Sequence, residues 1–386
     1  DWMASTKVLG TYTPLASSTH AAAAAYHQTC MNFLMDEQEN RNWYSFIDYG
    51  DAMHSFNPGL DSWRYDQGGY AWMNNEGQLT GSYWMAYLAS GDERAYRFAE
   101  AMTKHVQDVD MFQAGPLSGR GMRHNVNHWG CVDRERRMTI PFNKRVYYYL
   151  SGDEHTRDRI HFSYEQLRRN PGHAAAMDYS VGATALLFLW ETTGEAQYGK
   201  ALQTAAETFC SNPVEGYGYP ASLTLDYTTG QGKVADGVGM LPDFFLMYFG
   251  PMRILMETQA LTGSEAVKQS LLNWATLLLL PDDEAKELQA NFATGDKGAF
   301  THIHVAAYAY AQTQDPRYLE VIRRAFDAPA VEFAEVGGTG PLDAAPHRKI
   351  AAPNSFQSNS IAVTLYNYPY AWAALDEAPL ADTSTP

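Results

Sequence analysis

A short phrase that ends one helix and begins the next recurs along this chain, and it limits the possible folds more than any other feature. It reads YLASGDERAYRFAEAM at 87–102, YYLSGDEHTRDRI at 148–160, LWETTGEAQYGKALQTAAE at 189–207, METQALTGSEAVKQSLLNWA at 256–275 and YAQTQDPRYLEVIRRAF at 310–326. Gly91, Gly152, Gly194 and Gly263 suit the left-handed residue that closes a helix, while Asp92, Asp153, Ser264 and Asp315 suit the N-cap of the next one. Pro316 fits a first helical position. The flanks carry apolar residues at helical spacing, as in Leu79, Tyr83, Ala86 and Tyr87 before the first turn and Tyr96, Ala99, Met102 and Val106 after it. Val267, Leu271, Trp274 and Leu278 repeat the pattern, as do Leu319, Ile322 and Phe326. The turn positions Gly91, Gly152, Gly194, Gly263 and Gln314 lie 61, 42, 69 and 51 residues apart, too irregular for a consensus solenoid. Helical segments near 15–35 and 354–375 would join into a sixth pair and close a ring. The expected fold is therefore all-α dominated. It is an α/α toroid, incomplete or a full (α/α)6 barrel, with long loops and a small β-hairpin, and an open helical array is the alternative.

At 45% hydrophobic content the chain can bury a large core, as one architecture or as two domains, and with a helical ring the expectation is a single domain spanning 1–386 with a tail at 376–386. The longest apolar run, Val181 to Trp190, is far short of the roughly 18 residues a membrane helix needs, so no membrane partner is expected. The first residues, DWMASTKVLG, lack the basic and then apolar order of a secretory signal. A balance of 28 basic against 44 acidic side chains, formally −16, argues against nucleic acid as a partner. Arg120, Arg123, Arg134, Arg136, Arg137, Lys144 and Arg145 nevertheless cluster in sequence, enough for a locally positive pocket able to take an anionic sugar. Cys30, Cys131 and Cys210 are odd in number and far apart, so at most one intrachain disulfide can form and no cysteine metal site is read.

If the SGD and TGE turns lie at one end of the toroid, the long connections mark the opposite, functional face. They are 40–75, 107–137, 211–242, 294–302 and 329–356, and SLTLDYTTGQGKV within 213–242 is expected to form a β-hairpin lid. The second of these connections contains RGMRHNVNHWGCVDRERR, 120–137, which packs Arg123, His124, Asn125, Asn127, His128 and Trp129 into seven residues. Neither an amphipathic helix nor a half-buried strand requires so dense a polar mixture. Arg and Asn can hold a carboxylate, His can move a proton near neutral pH, and Trp offers a flat face to a sugar ring.

Other candidates surround that motif. The aromatic loop holds Trp43, Tyr44, Tyr49, Trp63, Arg64, Tyr65, Tyr70 and Trp72, most of them expected to pack; Arg64, Tyr65, Trp72, Asn74 and Glu76 are the better sugar contacts. Asp178 and Tyr179 begin an inner helix, and Tyr179 is a candidate proton donor. His302, His304, Asn354, Gln357 and Asn359 stand near late inner helices, with His302 taken as a substrate contact. His105, Asp108 and Asp110 in KHVQDVD are expected to anchor a loop. No cofactor is required by this chemistry, although the spacing of His124 and His128 also admits a divalent metal, with Asp133, His302 or His304 as a further ligand.

The run YGDAMHSFNPGLDSWRYDQGGYAWMNNEGQLTGSYWMAYLASGDERAYRFAEAMTKHVQDVD, followed by GRGMRHNVNHWG and YYYLSGDEHTRDR, resembles the helical domain of the rhamnogalacturonan exolyase-like polysaccharide lyases, and ulvan lyases are also similar. The likeness covers about residues 44 to 160 in matched phrases and the remainder in helical rhythm. The family's His-Thr-Trp phrase is replaced near Phe142 to Tyr148. The resemblance implies β-elimination on a rhamnose and uronate polymer, with an anionic polysaccharide as partner and a secreted or periplasmic protein. In that chemistry Arg123 and Asn125 would neutralise the uronate carboxylate, His124 or His128 would take the α proton, Tyr179 would protonate the leaving oxygen and Trp129 would stack on the sugar. A glycoside hydrolase with a carboxyl pair from Asp66, Glu76, Asp236 and Asp243, and a non-catalytic sugar-binding protein, are the alternatives.

Overall fold

The computed structural model describes residues 2–45, 49–63, 72–122, 134–172, 175–211, 217–234, 239–327, 332–336, 348–353 and 356–377. Twelve helices among these alternate between an outer and an inner ring: α1 Ala21–Arg41, α2 Leu79–Ser90, α3 Glu93–His105, α4 Phe142–Ser151, α5 Glu154–Arg169, α6 Ala175–Thr193, α7 Ala196–Cys210, α8 Pro251–Thr262, α9 Glu265–Thr276, α10 Ile303–Thr313, α11 Arg317–Asp327 and α12 Ser358–Asp376. The even-numbered helices form the inner ring. The last, α12, packs against α10 on one side and against α2 and α1 on the other, which closes the toroid. The open array is thereby excluded.

Local chemistry explains the alternation. After every inner helix but the last, the chain reverses through a left-handed residue, Gly91, Gly152, Gly194, Gly263 or Gln314, with φ between 57° and 72°. Three of the expected N-caps then bond the next helix: Asp92 accepts from Arg94 N, Asp153 from His155 N and Ser264 from Val267 N. Asp315 likewise accepts from Arg317 N at 3.0 Å. Outer helices such as α11 bury a single stripe, Tyr318, Leu319, Ile322 and Phe326, whereas α6 is buried on all sides from Ala175 to Leu189 and α12 from Ile361 to Leu375.

Short antiparallel pairs decorate the loop face: β1 Phe56–Asn57 with β2 Ser62–Trp63, β3 Gly121–Met122 with β4 Arg134–Glu135, β5 Leu223–Leu225 with β6 Gly232–Val234, and β7 Glu332–Val336 with β8 Arg348–Ala352. The β5–β6 hairpin forms where alternation predicts it, but the expected lid is corrected to a brace. Leu223, Leu225 and Tyr227 are buried, and the turn at Gly230 lies against Ala201, Thr204 and Ala205 of α7, with Thr208 Oγ1 donating to the Gly230 carbonyl at 3.2 Å.

One interior histidine repairs a break in the inner ring. Pro369 lies within α12 and has no N–H for the carbonyl four residues earlier, that of Leu365. His27 Nε2 of α1 donates to that carbonyl at 3.3 Å, and the ring packs on Trp372 at 5.4 Å. Its Nδ1 is buried without a partner among the described residues, so a second proton there would be unsatisfied, and burial lowers the pKa of His27 from its ordinary value to about 4. An unfolded His27 protonates near pH 6.5 while the folded one stays neutral, so its contribution is complete above that pH and is lost as pH falls toward 4. Urea unfolding at pH 7 and pH 4.5 should show wild type losing about 2–3 kcal/mol more than His27→Gln, which keeps a donor but does not titrate. Equal losses in the two proteins would refute this account.

Candidate active site

Except for α6, which follows α5 after five residues, every inner helix is preceded by a long connection, and the inner-helix N-termini gather on the loop face. The segment before α2 is the most constrained of these. Asn74, Asn75, Gly77 and Gln78 have φ of 46°, 63°, 69° and 61°, a left-handed series that Asn and Gly tolerate and that costs Gln about 1–2 kcal/mol. It is held by side chains at each step: Asn74 N donates to Asp51 Oδ1 at 3.1 Å, Asn75 Oδ1 accepts from Thr80 N at 3.1 Å, and Gln78 Nε2 donates to the Arg137 carbonyl at 3.1 Å. Gly77 lies so close to α12 that a Cβ there would sit 2.2 Å from Asn359 Oδ1.

This strap delivers Glu76 to a buried charge cluster. Glu76 Oε1 accepts from Arg137 NH1 at 2.7 Å, and its Oε2 lies 3.9 Å from His54 Nε2. Arg137 also pairs with Glu135 and covers the Phe249 ring at 4.5 Å from the centroid. His54 Nδ1 shares a proton with Ser55 Oγ at 2.7 Å, and Asn359 Nδ2 reaches toward its Nε2 at 3.5 Å. The next residue along, Arg136, donates to Asp178 Oδ1 at 3.0 Å and to the Asn170 carbonyl at 2.6 Å. A cavity of about 320 Å³ opens here, lined by Arg120, Glu135, Arg136, Asn170 and Asp178.

Arg123, His124, Asn125, His128 and Trp129 lie outside the described residues, as do Arg64, Tyr65, Asp66, Asp133 and Asp236. The strands bounding the motif are described. Gly121 pairs with Glu135 and Met122 with Arg134, so both ends of 123–133 leave from the position of the Glu135–Arg137–Glu76 cluster. Of the other expected contacts, Glu76 and Asn74 belong to this site, whereas Trp72 is 9% exposed and stands edge-on to Trp43 at 5.7 Å.

Two expectations are corrected. Tyr179 is wholly buried in the wall, stacked on Phe209 at 4.5 Å, and its hydroxyl has no partner among the described residues. Burial, with Cys210, Tyr227 and Tyr219 adding, holds its pKa well above the ordinary tyrosine value, so it packs the wall and does not present a proton to the cleft. His302 is also wholly buried, stacked on Phe292 at 4.6 Å with Nε2 3.3 Å from Asp243 Oδ2, and Asp243 Oδ2 in turn accepts from Ala293 N at 2.7 Å. His304 stacks on Tyr370 at 4.3 Å, and burial, with the Arg253 charge adding, lowers its pKa to about 3. These contacts tie His302 and His304 to the inner wall, where they order the start of α10. Sequence reading passed over His54 and Glu135. The bridge of Ser55 to Gln357 and the bond from Ser358 N to the His54 carbonyl, which bring His54 to the cluster, span some three hundred residues and leave no local pattern.

The acidic, basic and imidazole groups thus meet at the mouth of the inner ring of a helical toroid. Residues 1–362 match the PcRGLX-like protein C-terminal alpha/alpha toroid domain, and the chain belongs to that family. It is 32% identical over 312 residues to the uncharacterized protein YetA of Bacillus subtilis (strain 168), covering 74% of this chain and 35% of that protein, so it spans about a third of the relative's length. Among solved structures, it is similar to an unsaturated glucuronyl hydrolase specific for heparin, at 12% identity and TM-score 0.56, over 92% of this chain and 99% of the other. A family 76 glycoside hydrolase from a bovine Bacteroides thetaiotaomicron strain is similar at 14% identity and TM-score 0.55, over 93% and 79%. At these identities the structural likeness establishes the toroid fold.

Proposed function

We propose that the chain is the toroid of a polysaccharide lyase that cleaves a uronate polymer, of the rhamnose and uronate type, by β-elimination. The observation that carries this reading is that β3 and β4 anchor both ends of the 123–133 segment at Glu135–Arg137, beside Glu76. This supports a reading in which Arg123, His124, Asn125 and His128, whose flanking strands meet at that cluster, act on a carboxylated sugar.

Arg123 and Asn125 bind the uronate carboxylate and stabilise the negative charge that grows as the α proton leaves. His124 or His128 accepts the C5 proton. The C5–H electron pair becomes the C4–C5 double bond as the C4–O4 bond breaks, and O4 leaves with a proton supplied by water or by the protonated base. Trp129, Arg64 and Tyr65 contact the sugar, while the ion pair of Glu76 with Arg137 and the contact of His54 with Asn359 position the wall behind it.

The hydrolase alternative needs one protonated carboxyl facing a second carboxylate across the bond, at roughly 5–10 Å. Of its described candidates, Glu76 is ion-paired with Arg137, and Asp243 is engaged by Ala293 N and His302. Incubation of the chain with rhamnogalacturonan, ulvan and other uronate polymers should yield a new ultraviolet absorbance and a product whose mass is one water below that from hydrolysis. Shortened chains of full hydrolytic mass would establish the hydrolase reading instead. Sugar binding with no turnover would establish the binding-protein reading.

A further inference from the structure

A second group of ligating side chains lies behind the Asn74–Glu76 strap and plays no part in the elimination chemistry. Asp51, His105 and Asp110 each offer one ligand atom, and those atoms all lie within 4.8 Å of one another. The three side chains are 3%, 5% and 7% exposed, so the cluster is closed to bulk solvent.

The sequence assembles it from two directions. Helix α3 ends at His105 and continues as a π-helical turn, Val106–Asp110. The wider i→i+5 period of that turn returns Asp110 to His105, with Nε2 3.3 Å from Asp110 Oδ1. Asp51 enters from the loop that follows α1, with its carboxylate oriented by Ala52 N at 2.7 Å and Asn74 N at 3.1 Å.

Two features point to a cation in the middle. Among the described residues Asp110 Oδ2 is buried with no hydrogen-bond partner, and a carboxylate oxygen removed from water is normally bonded. The Tyr49 backbone also acts on the His105 ring, and a backbone contact of this kind orients a ligating histidine. Lys144, wholly buried on α4, lies within electrostatic range of Asp110, but its Nζ makes no hydrogen bond among the described residues. It therefore supplies background charge and does not satisfy the open oxygen.

We propose that Asp51, His105 and Asp110 bind a divalent cation. One imidazole nitrogen with two carboxylate oxygens suits Zn²⁺ or Mn²⁺, whereas Ca²⁺ takes about six to eight oxygens. The ion joins the end of α3 to Asp51, and through the bond from Asn74 N it fixes the strap that carries Glu76. It is a structural ion that acts on the cleft from behind.

The chain is stripped with a chelator, dialysed, and titrated separately with Zn²⁺, Mn²⁺ and Ca²⁺, with bound metal and thermal midpoint both followed. One equivalent of Zn²⁺ or Mn²⁺ should bind and raise the midpoint by several degrees, with a weaker response to Ca²⁺. Asp110→Asn and His105→Gln should each weaken that binding by at least about 100-fold. No uptake and no shift in the wild-type chain would overturn the proposal, as would a stronger response to Ca²⁺ or uptake unchanged in both variants. The wild-type titration decides the matter even if a variant does not fold.

Discussion

Arg145→Ala should lower the unfolding free energy by roughly 3–5 kcal/mol, measured by urea denaturation at pH 7. Arg145 of α4 is wholly buried and ties three inner helices together. Its NH2 lies 2.5 Å from Glu191 Oε1 of α6 and 2.7 Å from Glu257 Oε1 of α8, and its Nε donates to Glu191 Oε2 at 2.7 Å. Alanine leaves two carboxylates without their counter-charge, so most of the cost is the stranded charge and little is lost packing. Arg145→Met combined with Glu191→Gln and Glu257→Gln should therefore recover most of the loss. The pH dependence has a definite sign. Burial already holds the Glu257 pKa above its ordinary value against the pull of Arg145, and removing the arginine raises it further. A carboxyl whose folded pKa exceeds its unfolded value destabilises the fold as pH rises, so the deficit of Arg145→Ala should shrink as pH falls through the carboxylate range. A deficit independent of pH, or a triple variant no better than the single, would refute the stranded-charge account.

The second large effect concerns turnover. Of His124→Ala and His128→Ala, the one that removes the base should lower kcat on the uronate polymer by about 10² to 10⁴, while the other stays within about tenfold of wild type. The acidic limb of the kcat/KM profile, which reports deprotonation of the base in the free enzyme, should disappear with that same histidine. Arg123→Ala should instead lower kcat/KM with the histidine limb retained, because it removes charge stabilisation and leaves the base in place. Unchanged thermal midpoints distinguish these losses from misfolding. If neither histidine variant loses more than tenfold while Glu76→Gln is inactive, the chemistry belongs to carboxyl groups.

The helical ring was largely legible because its signals are local. A left-handed glycine, an N-cap and an apolar stripe each act within a few residues, and Gly91 with Asp92 or Gly263 with Ser264 needs no distant partner to form. Ring closure was also anticipated, since the terminal segments supplied the missing pair, α1 and α12. Individual side chains were harder to assign. Tyr179 and His302 carry functional groups, and both stand near inner helices, yet the stacking partners that bury them, Phe209 and Phe292, come from other elements. The β5–β6 hairpin followed from alternation, but its contact with α7 depends on how the wall packs.

By itself the sequence determined the turns, the alternation of outer and inner helices, the face that bears the long loops and the position of the polar segment 120–137 in one of them. All of these follow from backbone preference and hydrophobic period, which act over short distances. Only the tertiary structure decided which charges meet. His54, Glu76, Glu135, Arg137 and Asn359 come from three separate segments, and Asp51 joins His105 and Asp110 across some fifty residues. Burial makes such meetings selective, because a charged group withdrawn from water must find its partner wherever the fold brings one within reach.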